Sequence, residues 1–363
     1  KKKKGGAASK GIERGQRVMG KHRINNIFDQ ITTDENLMSA YRKARRNKRM
    51  SYATLKFTED LGGNLLKLQA EIRDGSYTPG RFRTFKIYEP KERVIRAPPF
   101  RDRVAQHALI NVVGSYLMHG FYYHSYACVK GKGGHLASDI LARKYHELYS
   151  LWGGEVWVLK ADIHHYFDSI DHGVLKAQLR RIIKDKSVLR LCDLYIDNNG
   201  KDVPVGIPVG NLTSQIFANV YLTDLDRYLK EQLRVPYMYR YMDDFVCLFR
   251  TRAEAEQCLE QAEIFLRERL KLELNPKTRI YKILHGVDFV GYRHYPDHKR
   301  VRKDSIERMN RRIRRYRMRG DMTAQQLLAS FTSWSGHAGH ADSAHLIQTM
   351  TQKIISAISE RTI

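Results

Sequence analysis

The segment VPYMYRYMDDFVCLFR, residues 235–250, constrains this chain more than any other. Two apolar, aromatic-rich arms flank an adjacent pair of acids, Asp243 and Asp244, and that pattern predicts a β-hairpin with the acids at its centre. Aspartate is a good turn residue, so the pair taken alone reads equally as a turn and as a site. A second acid has a similar setting. The compact apolar run WVLKADI, 157–163, predicts a strand that ends on Asp162.

The rest of the chain supplies context for these acids. Its 363 residues, 42% of them hydrophobic, suffice for two or three domains with real cores. Lysine and arginine outnumber aspartate and glutamate by 64 to 39, a formal net charge of +25. Such a surplus favours polyanions, because each neutralised phosphate releases counterions. No apolar run approaches the roughly 18 residues of a membrane span, and the start lacks the apolar stretch of a secretory signal. Nucleic acid is therefore preferred over a membrane as partner. The cysteines (Cys128, Cys192, Cys247, Cys258) form no CxxC pair, which suits a reducing compartment, and the expected location is the cytoplasm.

Residues 1–18 are basic, glycine-rich and unpatterned, and read as a disordered tail or an added extension before a natural start at Met19. Helical spacing runs from Asn36 to about Glu71, broken by the basic loop RKARRNKR. Residues 82–96 alternate as paired strands around a turn at Glu89-Pro90, and a helix follows from Arg101 through Val113. Val174 to Leu191 reads as one helix, as do Asn211 to Leu229 and Ala253 to Leu270. VDFVGYRHY, 287–295, is strand-like, and a basic helical region ends the chain. This order predicts an α+β fold rather than a doubly wound parallel sheet.

Acids at strand ends in apolar surroundings suit the joining of a nucleotide to a growing strand. Two divalent ions about 4 Å apart activate the attacking 3′ oxygen and neutralise the leaving pyrophosphate. Magnesium takes carboxylate and phosphate oxygens for this purpose. Here the sequence resembles a family. LKADIHHYFDSID (159–171) looks like polymerase motif A, and YMDD (241–244) like motif C of reverse transcriptases. Between them lies a GxxxS helix start, and after them come LNPKT (274–278) and FVGYR (289–293). Motifs in this order are far more specific than any one alone.

The resemblance implies a right-hand polymerase: fingers, an antiparallel palm sheet and a short helical thumb. It implies that Asp162, Asp243 and Asp244, with the backbone carbonyl of Ile163, hold two Mg2+ ions, or Mn2+ in their place. Phe167 falls at the steric gate that excludes a ribose 2′-OH. Lys91 and Arg93 fall where fingers residues grip the incoming triphosphate, and Lys277 near the leaving pyrophosphate. Phe289, Gly291 and Tyr292 resemble the primer grip. The segment PVGNLTSQ (208–215) departs from most of the family, which carries a glutamine before the glycine and a proline after the serine. Val209 before Gly210, and Gln215 after Ser214, resemble the reverse transcriptases of diversity-generating retroelements, closest to the phage tropism-switching type. ITTDENLMSAYRKA and SFTSWSGHAGHADSAHL look like that group too. The valine puts fidelity in doubt, because glutamine can hydrogen-bond near the nascent pair and valine cannot.

From Arg302 to Arg319 nine basic residues meet only Asp304 and Glu307 as acids. Arg308, Arg311, Arg312, Arg315 and Arg319 share one helical face, which reads as a phosphate-tracking surface. His337, His340 and His345 read as packing and RNA contacts rather than zinc ligands. The expected divisions are 19–154 for N-terminal helices and fingers, 155–295 for the palm with part of the fingers, and 296–363 for the thumb. The resemblance further implies template RNA, nascent cDNA and dNTPs as partners, a small helical accessory protein (the accessory variability determinant, an oligomer), and a bacterial host cytoplasm. Group II intron or retron reverse transcriptases are the alternatives, with an inactive RNA-binding scaffold on a polymerase fold as the alternative of another class.

Overall fold

The computed structural model describes residues 23–88, 92–199, 204–319 and 321–362. The basic tail (1–18), Met19, the turn at Glu89-Pro90 and Lys91 lie outside the described residues. The first half of the chain runs α1 (Phe28–Ile31), α2 (Asp34–Ala44), α3 (Tyr52–Glu59), α4 (Leu61–Asp74), β1 (Arg83–Ile87), β2 (Arg93–Ala97), α5 (Phe100–His119), α6 (Gly134–Trp152), β3 (Trp157–Ala161) and α7 (Tyr166–Ser169). It continues through α8 (His172–Ile182), α9 (Lys186–Asp197), α10 (Leu212–Arg227), β4 (Tyr237–Tyr241), β5 (Asp244–Phe249), α11 (Arg252–Phe265) and β6 (Arg279–Lys282). Three short strands, β7 (Val287–Phe289), β8 (Tyr292–His294) and β9 (Lys299–Val301), precede α12 (Lys303–Arg319), α13 (Ala324–Ala338) and α14 (Ala344–Thr362).

Two compact units result, and they interleave along the chain. The first takes the described residues of Lys1–Gly120, Gly173–Asp202 and Val209–Ser214. Within it α2 packs on α5. Thr33 caps α2 by accepting the Asn36 N–H, and Leu37, Ala40, Tyr41 and Ala44 then fall on one buried stripe. β1 and β2 form an antiparallel ribbon, Arg83 opposite Ala97 and Ile87 opposite Arg93. The single helix expected over 174–191 is two helices. Asp185 breaks it, because one carboxylate oxygen accepts the Ser187 and Val188 N–H groups at the start of α9. The other accepts the N–H groups of Ile27 and Phe28 at the start of α1. An acid that looked like a polar position on one helix thus caps two.

The second unit takes the described residues of Phe121–His172, Val203–Pro208 and Gln215–Ile363. Its centre is a four-stranded sheet in the order β4-β5-β3-β6, antiparallel throughout. β5 is buried on both faces, so helices must cover both. On one face Val158, Val246, Leu248 and Tyr239 pack against Leu141, Tyr145 and Leu148 of α6. On the other, the free thiols of Cys247 and of Cys258 on α11 hydrogen-bond to each other. Each such aliphatic side chain contributes about 1.5–3 kcal/mol of burial, so the helices fix the plane of the sheet. A second antiparallel sheet, β7-β8-β9, follows. The last three helices have their own core, including Met309, Ile313, Leu327, Trp334, Met350 and Ile354. Among the described residues no helix is long and apolar enough to cross a membrane.

Candidate active site

The register of the central strands positions the acids. Ala161 stands opposite Phe245, so one further step sets Asp162 opposite Asp244. Like charges in that relation repel. Lys160, on the same face of β3 as Asp162, supplies the counter-charge: its ammonium ion-pairs with Asp244. Burial pushes the Lys160 pKa down to about 8, against the opposing pull of Asp162, Asp288 and Asp243. All three predicted acids therefore act on one ammonium group, which also lies 5.7 Å from the centroid of the Phe289 ring.

Each acid has its own mount. Asn275 of the LNPKT segment donates its backbone N–H to the Asp162 carbonyl at 2.7 Å and its side-chain amide to Asp162 Oδ2 at 3.2 Å. An antiparallel bridge pairs Ile163 with Leu274. Its bonds, His164 N–H to Glu273 and Asn275 N–H to Asp162, flank Ile163 and use neither its N–H nor its carbonyl. The hairpin pairs Tyr241 with Asp244, leaving Met242 and Asp243 as a two-residue loop. Met242 takes φ +59°, the left-handed value that the first position of a type II′ turn requires and that glycine normally fills. Behind the loop the buried Arg240 donates to the Met242 carbonyl at 2.8 Å.

Among the described residues no three His, Cys, Asp or Glu side chains form a ready-made metal cluster. The donor set nevertheless fits hard divalent cations in kind: three carboxylates and the carbonyl of Ile163, all oxygen. Asp162, Asp243, Asp244 and Ile163 would hold such ions, which when bound would activate the attacking hydroxyl and neutralise the leaving phosphate. Nothing in the donor set selects magnesium over manganese.

The other expected site residues divide between the units. In the first, Arg93 opens β2 and is exposed. Val209 accepts the Arg96 N–H through its carbonyl. At Gly210, φ is +112° and a Cβ would stand 3.1 Å from Ile95, so glycine suits both the turn and the close approach. In the second unit Phe167 is half-buried, with its carbonyl accepting the Ile207 N–H. Gln215 and Lys277 are exposed. The rings of Phe289 and Tyr292 are buried, so of that segment the Val290–Gly291 turn is what remains for contact. Both its residues have positive φ, and a Cβ on Gly291 would stand 2.9 Å from the His337 ring. His337 stacks on Tyr292 at 4.5 Å and His340 on His135 at 3.8 Å. On α12, Arg311, Arg315 and Arg319 are exposed and Arg308 and Arg312 half-exposed, while Met309, Ile313 and Tyr316 face the core. Arg315 is paired with Asp321 at 2.7 Å.

Sequence reasoning missed Lys160, Asn275 and Arg240 as parts of this site. A signal existed for two of them: a cation inside a buried strand must find an acid.

Comparison with known proteins identifies the family. The family profile described as reverse transcriptase (RNA-dependent DNA polymerase) matches residues 86–294. Protein YkfC of Escherichia coli K12 is 27% identical over 62% of this chain and 70% of its own length. The group II intron-encoded protein LtrA of Lactococcus lactis is 27% identical over 45% of this chain, which covers only 28% of that protein. A solved structure of telomerase from Candida albicans with a fragment of telomeric RNA overlaps 78% of this chain and 55% of that one, at 13% identity and a TM-score of 0.48. The four-stranded antiparallel sheet with acids at one end lies within the matched residues. With more than half of its length matched to that profile, the chain belongs to the reverse transcriptase family.

Proposed function

We propose that this chain is the RNA-directed DNA polymerase of a diversity-generating retroelement, which copies a template-repeat RNA into cDNA with errors at template adenines. The observation that carries the finer reading is Val209 before Gly210, with Gln215 after Ser214. The backbone of Val209 is seated on β2, the strand that carries Arg93. In this reading Asp162, Asp243, Asp244 and the Ile163 carbonyl hold two Mg2+ or Mn2+ ions. Lys91 and Arg93 grip the triphosphate, Lys277 meets the pyrophosphate, and Phe167 excludes the 2′-OH. The turn after Phe289 guides the primer. Residues 19–154 carry the N-terminal helices and fingers, 155–295 the palm, and 296–363 a thumb whose arginines follow phosphates. A small helical accessory protein assembles with the polymerase in the bacterial cytoplasm.

One observation favours a second reading, an intron-type reverse transcriptase: the similarity to LtrA and to the putative COX1/OXI3 intron 2 protein of Saccharomyces cerevisiae, 28% identical over 49% of this chain. Sequencing the RNA that co-purifies with the protein decides between them, a template repeat on one side and a folded intron on the other. The fidelity claim has its own test. A glutamine hydrogen bond to a correctly shaped base pair is worth roughly 0.5–1.5 kcal/mol, about tenfold in discrimination at the upper end. Val209→Gln should lower misincorporation opposite adenine by up to about that factor when both enzymes copy one defined RNA. Equal adenine error rates would remove Val209 from the explanation.

A further inference from the structure

The only charged side chains with no exposed area that ion-pair in the described part of the palm are Arg240, in the interior of β4, and Asp226 on α10, both at 0%. They meet as a fork: Nε donates to Oδ1 at 2.7 Å and Nη2 to Oδ2 at 2.6 Å. The remaining nitrogen, Nη1, donates to Asn219 Oδ1 at 3.1 Å and to the Met242 carbonyl at 2.8 Å. Asn219 and Asp226 lie two turns apart on one face of α10. Asn219 is itself fixed, donating to the Ala127 carbonyl at 2.9 Å. The Arg240 backbone is held from the other side, bonding the His124 carbonyl at 2.9 Å and the Tyr126 N–H at 3.0 Å.

This arrangement is expensive for mere packing. A buried ion pair loses hydration that an apolar pair of similar volume would not need. What the guanidinium uniquely reaches is the Met242 carbonyl. That carbonyl and the Asp243 N–H belong to one planar peptide unit. Orienting the oxygen therefore orients the Asp243 backbone and the direction in which its side chain leaves. The turn needs such a restraint, because a non-glycine residue at φ +59° is strained and persists only when its surroundings demand it.

We propose that Arg240, anchored by Asp226 and Asn219, is a positioning residue that locks the Met242–Asp243 peptide and so aims the Asp243 carboxylate. This rests on the reading of Asp243 as a metal-site acid. Arg240→Lys keeps the charge beside Asp226 but cannot form the fork and reach Met242 together. Misplacing a reacting group by about an ångström costs on the order of a hundredfold in rate. Arg240→Lys should therefore slow primer extension by about 10–100-fold and raise the magnesium concentration at half-maximal rate, with KM for dNTP little changed. The double variant Arg240→Lys/Asp226→Glu restores a close ion pair without restoring reach to Met242. It should regain thermal stability but stay slow. Should Arg240→Lys fail to fold, Asn219→Ala, which leaves the ion pair intact, should still shift the magnesium midpoint, with a lower melting temperature from the buried hydrogen bonds it loses. The proposal is overturned if Arg240→Lys or Asn219→Ala folds and keeps the wild-type rate and magnesium midpoint, or if the double variant recovers rate along with stability. Wild-type protein that extends no primer would instead sink the underlying reading of Asp243.

Discussion

The four-stranded sheet and the C-terminal helices belong to one unit yet handle charge in opposite ways. Around the end of β3 and the β4–β5 turn, charges meet specific partners: Asp244 with Lys160, Arg240 with Asp226, and Asp162 with the amide of Asn275. On α12 the arginines stand mostly in solvent, and the pairs they form, such as Arg315 with Asp321 and Arg317 with Glu360, are exposed. Buried charge acts through geometry, so a single atom out of place is costly and effects do not add. Exposed charge acts through number, is screened by salt, and adds nearly linearly. Catalysis needs the first arrangement and tracking of a polymer of any sequence needs the second.

That contrast breaks if the acids prove dispensable. Asp162→Asn or Asp243→Asn should each reduce magnesium-dependent DNA synthesis by at least about a thousandfold, while RNA binding should persist, since neutralised phosphates dominate affinity of this kind. Primer extension beside filter binding reads both quantities. A variant that extends at near wild-type rate removes its acid from the site.

A smaller effect is expected at Phe167, which follows Asp162 in the chain and is proposed to act by shape. Phe167→Ala should raise ribonucleotide incorporation relative to deoxyribonucleotide by roughly 10–100-fold, the scale on which one pocket contact discriminates. Single-nucleotide extension measures it, and unchanged discrimination assigns the ring to packing alone.

The smallest effect per residue belongs to α12. Replacing Arg311, Arg312 and Arg315 by glutamine should weaken template–primer binding across all sequences and reduce the salt slope by about 0.7–0.9 for each arginine that meets a phosphate. Asp321 competes for Arg315, which should lower the share of that residue. Titrations at several salt concentrations check this. An unaltered slope would mean that the face meets water or a protein.

Much of this molecule was legible in the order of its residues, for a physical reason. Alternation over 235–250 and the apolar run from Trp157 select strands wherever they fall, because side-chain period is a local property. The acids at their ends, the ribbon of β1 and β2, the long helix after Pro99 and the basic face of α12 followed in the same way. What local pattern cannot contain is the partner of a buried group. Asp185 continues a helical pattern in sequence, yet in the fold it meets Ile27 from 158 residues away and ends the helix. Lys160 and Arg240 are ordinary cations as letters. Only the β3–β5 register and the passage of α10 behind the hairpin make one the counter-ion of Asp244 and the other the anchor of the Met242 peptide. Phe289 and Tyr292 were legible as a motif, but which of their atoms remain accessible was decided by α6 and α13, whose His135 and His337 enclose the Tyr292 hydroxyl. Chain order determines which elements form. Long-range packing decides which polar groups lose water, and those groups acquire roles only from the partner that replaces it.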